Sequence, residues 1–423
     1  MKLLSKIFLI TCGISAIVLL TGIVLQQPVI WQPFAITTSI CLAIGLGAIE
    51  KLKGFQYTVW IIAAVVAGMI YPGAFSNWGP VNLRDKTLIL VVIQLVMFGT
   101  GTQMSLKDFK GISTTGKGIL VGMLCQFTIM PFVGYLLARS FNFEPEIAAG
   151  IILIGCCSSG LASNVMVYLA RANLMLSVLV TACATLVAPF LTPFFMKLLA
   201  GTMVEVNFIN MMIEIIKMVL VPIGAALLHD YLKSATDLQK RKVHIAGAAS
   251  LTWMIAAILF LQQIDAGTAL AQSVQLSAFF GGAVVAGIVY HFLYNRFPAL
   301  DKLMPLFSMF GIIYFTTITT AAGRDSLLKI GLLLFLVAVI HNAAGYLFGY
   351  LLSRLFRLDK NSARTIALEV GLQNGGMASG IAGSMGKLGT VGLAAAVFSP
   401  WMNISGSILA NYWKARPVNN EEK

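Results

Sequence analysis

The chain has 423 residues, of which 58% are hydrophobic and only 11% are charged, and its mean hydropathy is +0.87. So few polar groups could not cover the surface of a soluble globular protein, so that class is excluded. The formal net charge of +13 is better explained by basic loops beside a membrane than by a nucleic-acid partner. The composition predicts an all-α polytopic membrane protein in contact with the lipid bilayer.

Fourteen apolar windows, separated by charged residues or by Pro and Gly, follow one another along the chain. Most are about 20 residues long, which is the length that crosses the hydrocarbon core as a helix. The first resembles a signal peptide, but another apolar window follows it directly, so it is interpreted as a span. The windows lie at 7–25, 31–49, 57–77, 87–105, 117–138, 146–170, 174–200, 208–230, 245–263, 275–295, 304–322, 328–353, 363–386 and 390–413.

The distribution of Lys and Arg predicts the orientation. Basic residues concentrate in alternate loops, for example at 51–53, 107–117, 233–242 and 354–364, and far fewer lie in the loops between them. Because basic loops stay in the cytoplasm, we expect both termini to be cytoplasmic and the protein to cross the cell's inner (plasma) membrane several times. The loops are short, which predicts one membrane domain over residues 1–423.

Two windows share a glycine-rich or small-residue interruption. The sixth contains GCCSSGLASN at 155–164, and the thirteenth contains LEVGLQNGGMASG at 368–380. Each is the sixth window of seven, and two seven-span halves must cross the membrane in opposite senses. The pattern predicts an inverted-repeat transporter with discontinuous helices, with halves at 1–203 and 204–423.

Glu369 is the most informative residue of the thirteenth window. A carboxylate in hydrocarbon costs about 2.5–3.5 kcal/mol on insertion scales, so Glu369 is expected to face a polar interior. The glycines around it weaken the helix and predict a break whose free backbone groups line an ion or anion site. The alternative is a glycine-rich packing face with one protonated Glu.

Other intramembrane oxygens could join this acid around a hard cation. Ser163 and Asn164 follow the break in the sixth window, while Ser177 and Thr181 are four residues apart on one helix face. Gln126 lies in the fifth window, and Gln373 is four residues from Glu369. For each hydroxyl alone, a bond to its own helix is the simpler interpretation. Glu214 and Lys217, three residues apart, are expected to pair with each other.

Longer stretches resemble the bile acid:sodium symporter family. They are GCCSSGLASNVMVYLARANLMLSVLVTACATLVAPFLTPFF, IALEVGLQNGG, NISGSILANYW, MFGTGTQMSLKDFK and IHNAAGYLFGY, and the resemblance extends from about residue 57. It implies ten helices in two inverted repeats, with a four-helix panel on a six-helix core that contains two crossing discontinuous helices. This chain then carries about four additional spans, which we place near 7–49 and 245–295.

The resemblance also implies a function, that of a sodium-coupled symporter working by alternating access. It would import an organic anion, either bile-acid-like or a small carboxylate or sulfonate, with two co-transported Na⁺ ions. One sodium site would use Ser163, Asn164, Ser177, Thr181 and Glu369. The other would use Gln126, Glu369, Gln373 and the backbone carbonyls of Val370 and Leu372. The anion would bind near the helix N-termini and the last span, at Leu161, Ala162, Asn374, Gly375, Gly376 and Asn403. Where the family often has Pro-Gly-Gly-Thr, this chain has Ser158-Ser159-Gly160-Leu161, which removes a hydroxyl from the expected substrate pocket.

Two other functions are weighed against symport. A sodium- or proton-coupled antiporter or exporter could use the same scaffold of inverted repeats. A membrane-embedded enzyme would need a nucleophile with a base, or a metal set, but the four histidines are scattered without ligand spacing. We therefore expect a transporter and no catalytic residues.

Overall fold

The structure is a computed structural model that describes residues 2–49, 52–265 and 267–418. Lys51, in a predicted basic loop, and the chain beyond residue 418 lie outside the described residues. The helices are α1 (Lys2–Val24), α2 (Pro28–Gly45), α3 (Gln56–Ile70), α4 (Lys86–Gly101), α5 (Ile112–Ser140), α6 (Pro145–Cys156), α7 (Leu161–Leu169), α8 (Leu174–Phe195), α9 (Phe208–Ile215), α10 (Val221–Ser234), α11 (Asp237–Leu261), α12 (Ala269–Arg296), α13 (Leu300–Ala322), α14 (Arg324–Leu355), α15 (Lys360–Gly371), α16 (Gly375–Ser384) and α17 (Leu393–Lys414). A small hairpin of β1 (Asn77–Trp78) and β2 (Val81–Asn82) precedes α4.

Each of the fourteen apolar windows coincides with helical structure. In the described residues, eleven helices are long and apolar enough to cross a membrane. Of the other windows, one is the 16-residue helix α4, and two are split into the pairs α6–α7 and α15–α16. The prediction of an all-α polytopic membrane protein is confirmed.

The chain leaves helical geometry between α6 and α7 and again between α15 and α16. Cys157 and Gly160 are extended in the first break, and Leu372 is extended in the second. At Gly371 a Cβ atom would overlap the ring of Tyr346 on α14. Asn374 then starts α16 by accepting the backbone N–H of Met377 at 3.0 Å, a helix cap that satisfies one of the free donors of the new helix.

The two breaks cross each other. Ser159 and Gln373 form an isolated antiparallel bridge, and the backbone N–H of Asn374 donates to the carbonyl of Ser158 at 2.8 Å. Backbone groups released by one interrupted helix are therefore satisfied by the other, which makes irregular backbone tolerable at this depth. The predicted pair of crossing discontinuous helices is present.

The helices form two bodies. The core contains α5 to α8 and α14 to α17, in which α5 packs on α6 and α8 just as α14 packs on α15 and α17. The panel is a row in which α3 contacts α13, α13 contacts α4, and α4 contacts α10. This repeated arrangement is that of an inverted-repeat transporter, while the boundary between residues 203 and 204 stays a prediction.

Four helices lie at the periphery. In α1, α2, α11 and α12 only 17%, 22%, 11% and 11% of the most apolar window is buried, so these helices lie on the outside of the helical bundle. The hairpin α1–α2 packs on α3, and the hairpin α11–α12 packs on α10. These are the spans that the resemblance marks as additional, and their status as additions stays a prediction.

We expect Gly371→Ala to destabilise the protein by about 1–3 kcal/mol, because the added methyl group forces the Tyr346 ring away from the break. Thermal unfolding of the purified protein in one detergent measures the change. Gly224→Ala is the matched control, since its added Cβ meets nothing within 4 Å. Equal melting temperatures for the two variants would contradict the prediction.

Candidate functional site

Glu369 lies in the last turn of α15, immediately before the second break, and has 0% of its surface exposed. Three hydroxyl groups donate to its carboxylate. Ser159 and Thr181 reach Oε2 at 2.6 and 2.7 Å, and Ser177 reaches Oε1. The three donors are neutral, so they solvate the carboxylate without neutralising its charge.

The hydroxyls come from two different elements. Ser177 and Thr181 are one turn apart on α8, on the same face, while Ser159 lies in the break of the first discontinuous helix. On α7, Asn164 Oδ1 lies 2.7 Å from the Ser177 hydroxyl, and the neighbouring Ser163 hydroxyl donates to the Gly160 carbonyl at 2.7 Å. The structure therefore brings Asn164, Ser177, Thr181 and Glu369 into one network, with Ser163 bonded at its edge.

A second polar group lies on the other side of the crossing. Gln126 Nε2, on α5, donates to the Cys157 carbonyl and to Gln373 Oε1, both at 2.8 Å. Gln373 Nε2 in turn donates to the Val370 carbonyl at 2.6 Å. Among the described residues, Gln126 Oε1 is buried without a hydrogen-bond partner. An unpaired buried oxygen is costly and can be satisfied by a cation. Leu372, with 0% exposure, continues the extended segment beside these groups.

The residues expected to bind the anion lie at two helix starts. Leu161 and Ala162 form the half-buried first turn of α7, and Asn374, Gly375 and Gly376 form the buried start of α16. Both helices begin at the crossing. Some of their first N–H groups are already bonded, since Met377 N–H donates to Asn374 Oδ1 and Gly375 N–H donates to the Gln373 carbonyl. The dipole at the start of a helix favours an anion.

Asn403 is in a different situation. It is buried on α17, and its side-chain nitrogen donates to the Ser399 carbonyl one turn earlier, at 2.7 Å. This bond is to its own helix, which is the simple alternative for a polar residue in a membrane span.

Two contributors were not assigned to the site by the sequence analysis. Ser159 donates to Glu369, although the sequence marked it only as a departure from the family pattern. Asn342, on α14, donates to the Gly371 carbonyl at 2.8 Å and accepts from Ser405 at 2.6 Å. The sequence contains one indication of the role of Asn342. A break in a helix leaves backbone carbonyls without donors, so a polar residue in another span is a candidate donor to them.

The expected pairing of Glu214 with Lys217 is confirmed, with Lys217 Nζ 2.8 Å from Glu214 Oε1. His341 is buried, and its Nε2 lies 2.9 Å from the Met130 carbonyl. In the described residues, no group of three or more His, Cys, Asp or Glu side chains could hold a metal ion. The crossing offers instead one carboxylate with amide, hydroxyl and carbonyl oxygens, which is a donor set for a hard cation.

Comparisons with known proteins show which family the chain is similar to. Residues 90–267 match the model of the Sodium Bile acid symporter family. The chain is 32% identical over 369 residues to the uncharacterized sodium-dependent transporter YocS of Bacillus subtilis, covering 87% of this chain and 94% of that protein. It is 28% identical over 374 residues to a probable chloroplastic sodium/metabolite cotransporter, BASS1 of Oryza sativa subsp. japonica, covering 88% and 76%. The human ileal sodium/bile acid cotransporter is 28% identical over 295 residues, covering 68% and 67%.

Among solved structures, the sodium proton antiporter MjNhaP1 of Methanocaldococcus jannaschii aligns over 98% of this chain and 99% of its own. The TM-score is 0.44 and the identity 14%, so no inference about fold or mechanism follows from it. The fold and the sequence relatives define a sodium-dependent membrane transporter, not an enzyme. The chain belongs to the sodium bile acid symporter family, as its motifs predicted.

We expect Asn342→Leu to destabilise the protein by about 1–3 kcal/mol, because the Gly371 carbonyl loses its donor in a buried position. Thermal unfolding in detergent tests this. Asn411→Leu is the control, since the Asn411 amide donates to the Ser407 carbonyl of its own helix. If Asn342→Leu unfolded at the same temperature as the control, Asn342 would not be supporting the break.

Proposed function

We propose that this protein is a symporter that imports an organic anion, either bile-acid-like or a small carboxylate or sulfonate, together with two sodium ions. The observation that supports this most directly is the fully buried Glu369 carboxylate, held by hydroxyls from α8 and from the opposite broken helix. A carboxylate in this position is most stable with a cation beside it. A cation that binds both halves of the crossing also couples them mechanically.

The first sodium ion would bind between α7, α8 and α15. Its oxygens would come from Asn164 Oδ1, Glu369 and the hydroxyls of Ser177 and Thr181. Ser177 already contacts both Asn164 and Glu369, and Thr181 contacts Glu369. Ser163 would turn its hydroxyl from the Gly160 carbonyl to the ion. In this proposal, the protons that now point at the carboxylate turn away as the ion takes their place.

The second ion would bind on the side of the crossing that faces α5. Gln126 Oε1, unpartnered in the described structure, would be a ligand with Glu369, Gln373 and the carbonyls of Val370 and Leu372. The Gln373 side chain would have to release the Val370 carbonyl, to which it now donates. Two ions on one carboxylate leave a net positive charge, which favours an anion beside them.

The anion would bind at the N-termini of α7 and α16, around Leu161, Ala162, Asn374, Gly375 and Gly376. Asn403, on α17, would contribute its side-chain nitrogen after releasing the Ser399 carbonyl, to which it now donates. Transport would follow from a movement of the core against the panel. Coupling requires that the outward-facing and inward-facing conformations differ in their affinity for sodium. A ligand that binds both conformations equally well does not change their populations.

The proposal also includes the orientation of the protein in the membrane and the direction of anion transport. We place the protein in the cell's inner (plasma) membrane with both termini in the cytoplasm, on the basis of the basic loops. An exporter or antiporter on the same scaffold would move the anion against the sodium gradient. Vesicles of known orientation with an imposed sodium gradient separate the two, because symport fills them with anion only when the gradient points inwards.

We expect Glu369→Gln to abolish both sodium-dependent uptake and the rise in melting temperature caused by sodium, because the neutral amide cannot hold two cations. Uptake by proteoliposomes and thermal unfolding in sodium or potassium chloride measure the two effects. Glu144→Gln is the control, an exposed residue that begins α6 without a side-chain cap. Uptake at the normal rate by Glu369→Gln would refute the proposed sodium sites.

We expect Gln126→Leu to raise the sodium concentration for half-maximal uptake about tenfold, which corresponds to about 1.4 kcal/mol. The Hill coefficient for sodium should fall from near two towards one, because only the second ion loses a ligand. Sodium titrations of uptake measure both values, with the exposed Gln103→Leu as the control. An unchanged titration curve would place the second ion elsewhere.

A further inference from the structure

A lysine that the sodium sites do not use is buried within a membrane-spanning helix. Lys217 lies in a π-helical turn, Ile216–Leu220, between α9 and α10, and only 6% of its surface is exposed. Charged side chains in spans are rare and usually mark a binding site or an ion path. π-helical turns within α-helices also occur frequently at functional sites.

The contacts of Lys217 hold its ammonium group in place. Nζ lies 2.8 Å from Glu214 Oε1, 3.0 Å from Gln275 Oε1 and 5.5 Å from the centre of the Phe279 ring. The Lys217 carbonyl accepts from Gln94 Nε2 on α4 at 3.0 Å, so a neighbouring helix also fixes the backbone of the π-helical turn. The position of the Lys217 ammonium group is therefore fixed by contacts from neighbouring helices.

The ammonium lines a polar cavity of about 440 Å³ between the panel and α16. This volume is in the range of sites for small ligands. Of its charged residues, Lys86 and Lys217 are cationic and Glu214 is anionic, which leaves a net positive charge. The lining residues are Lys86, Thr87, Ile89, Leu90, Asn210, Ile213, Glu214, Lys217, Met218, Gln272, Gln275, Phe279, Gly380 and Ser384.

An apolar groove of about 630 Å³ adjoins this cavity. Gln275 and Phe279 line both, so the ammonium group lies where the two spaces meet. The groove is formed by α4, α10, α11 and α12, and its residues are Val91, Gln94, Leu95, Phe98, Val221, Pro222, Ala225, Met254, Ile258, Leu261, Gln275, Ala278, Phe279, Gly282, Ala283 and Ala286. A charged site that continues into an apolar groove fits a ligand with an anionic head and a hydrocarbon chain.

We propose that these two spaces form a binding site for a single-chain anionic amphiphile, such as an alkyl carboxylate or alkyl sulfonate, separate from the sodium-binding crossing. The head binds Lys217 with Lys86 nearby, and the chain occupies the groove. Glu214, whose side chain is 36% exposed, turns towards water as the ligand head replaces it. The site shares no residue with the proposed sodium sites, so the proposal does not rest on them.

The test uses the full-length protein in nanodiscs of zwitterionic phosphatidylcholine, with radiolabelled dodecanoate as the probe and empty nanodiscs to correct for partitioning. We expect saturable binding that dodecanesulfonate displaces and dodecanol does not. The double variant Glu214→Gln/Lys217→Met removes the ion pair without leaving a charge unpaired, and it should weaken binding at least tenfold. Lys197→Met is the matched control, an exposed lysine in the other π-helical turn, Met196–Ala200, and it should bind normally.

Two further variants separate the groove from the sodium sites. Gly282→Phe fills the groove, since a Cβ at Gly282 makes only ordinary contact with Met254, and it should weaken dodecanoate binding at least tenfold. Glu369→Gln should leave dodecanoate binding unchanged, whatever its effect on sodium. Unchanged affinity in the double variant, or equal displacement by dodecanol, would overturn the proposal. The binding is also measured in nanodiscs that contain anionic phospholipid. If that lipid displaced dodecanoate by binding Lys217, the occupant would be a membrane lipid and this proposal would be wrong.

Discussion

The structure depends on solvating one carboxylate inside a membrane protein. Glu369 is fully buried, and it accepts hydrogen bonds from Ser159, Ser177 and Thr181. Ser159 can donate only because the break in the first discontinuous helix lies beside the second discontinuous helix. The breaks, the crossing and the polar site are therefore consequences of the same requirement, since each supplies the polar partners that the others lack.

Much of the fold could be predicted because it depends on local sequence. Apolar windows of membrane length predicted the helices, and clusters of glycine and small residues predicted the two interruptions. The spacing of Ser177 and Thr181 placed both on one helix face, and Glu369 was recognisable because an acid in a span needs polar partners. These inferences required only the neighbours of each residue in the chain.

The partners themselves could not be predicted without the fold. Ser159 and Glu369 are 210 positions apart, and Gln126 and Gln373 are 247 apart. The hydropathy of the sequence does not predict the π-helical turn that contains Lys217. Such contacts depend on how helices from the two halves pack, and only the family resemblance placed Gln126 near Gln373 in advance.

The panel indicates how the peripheral hairpins relate to the repeat. Its row of α3, α13, α4 and α10 is symmetric about its centre, with α3 and α10 at the two ends. The hairpin α1–α2 packs on α3, and α11–α12 packs on α10. One hairpin precedes its panel helix in the chain, whereas the other follows it, so the two seven-span halves do not correspond span for span. Both hairpins pack on panel helices, so the proposed movement of the core against the panel would not carry them.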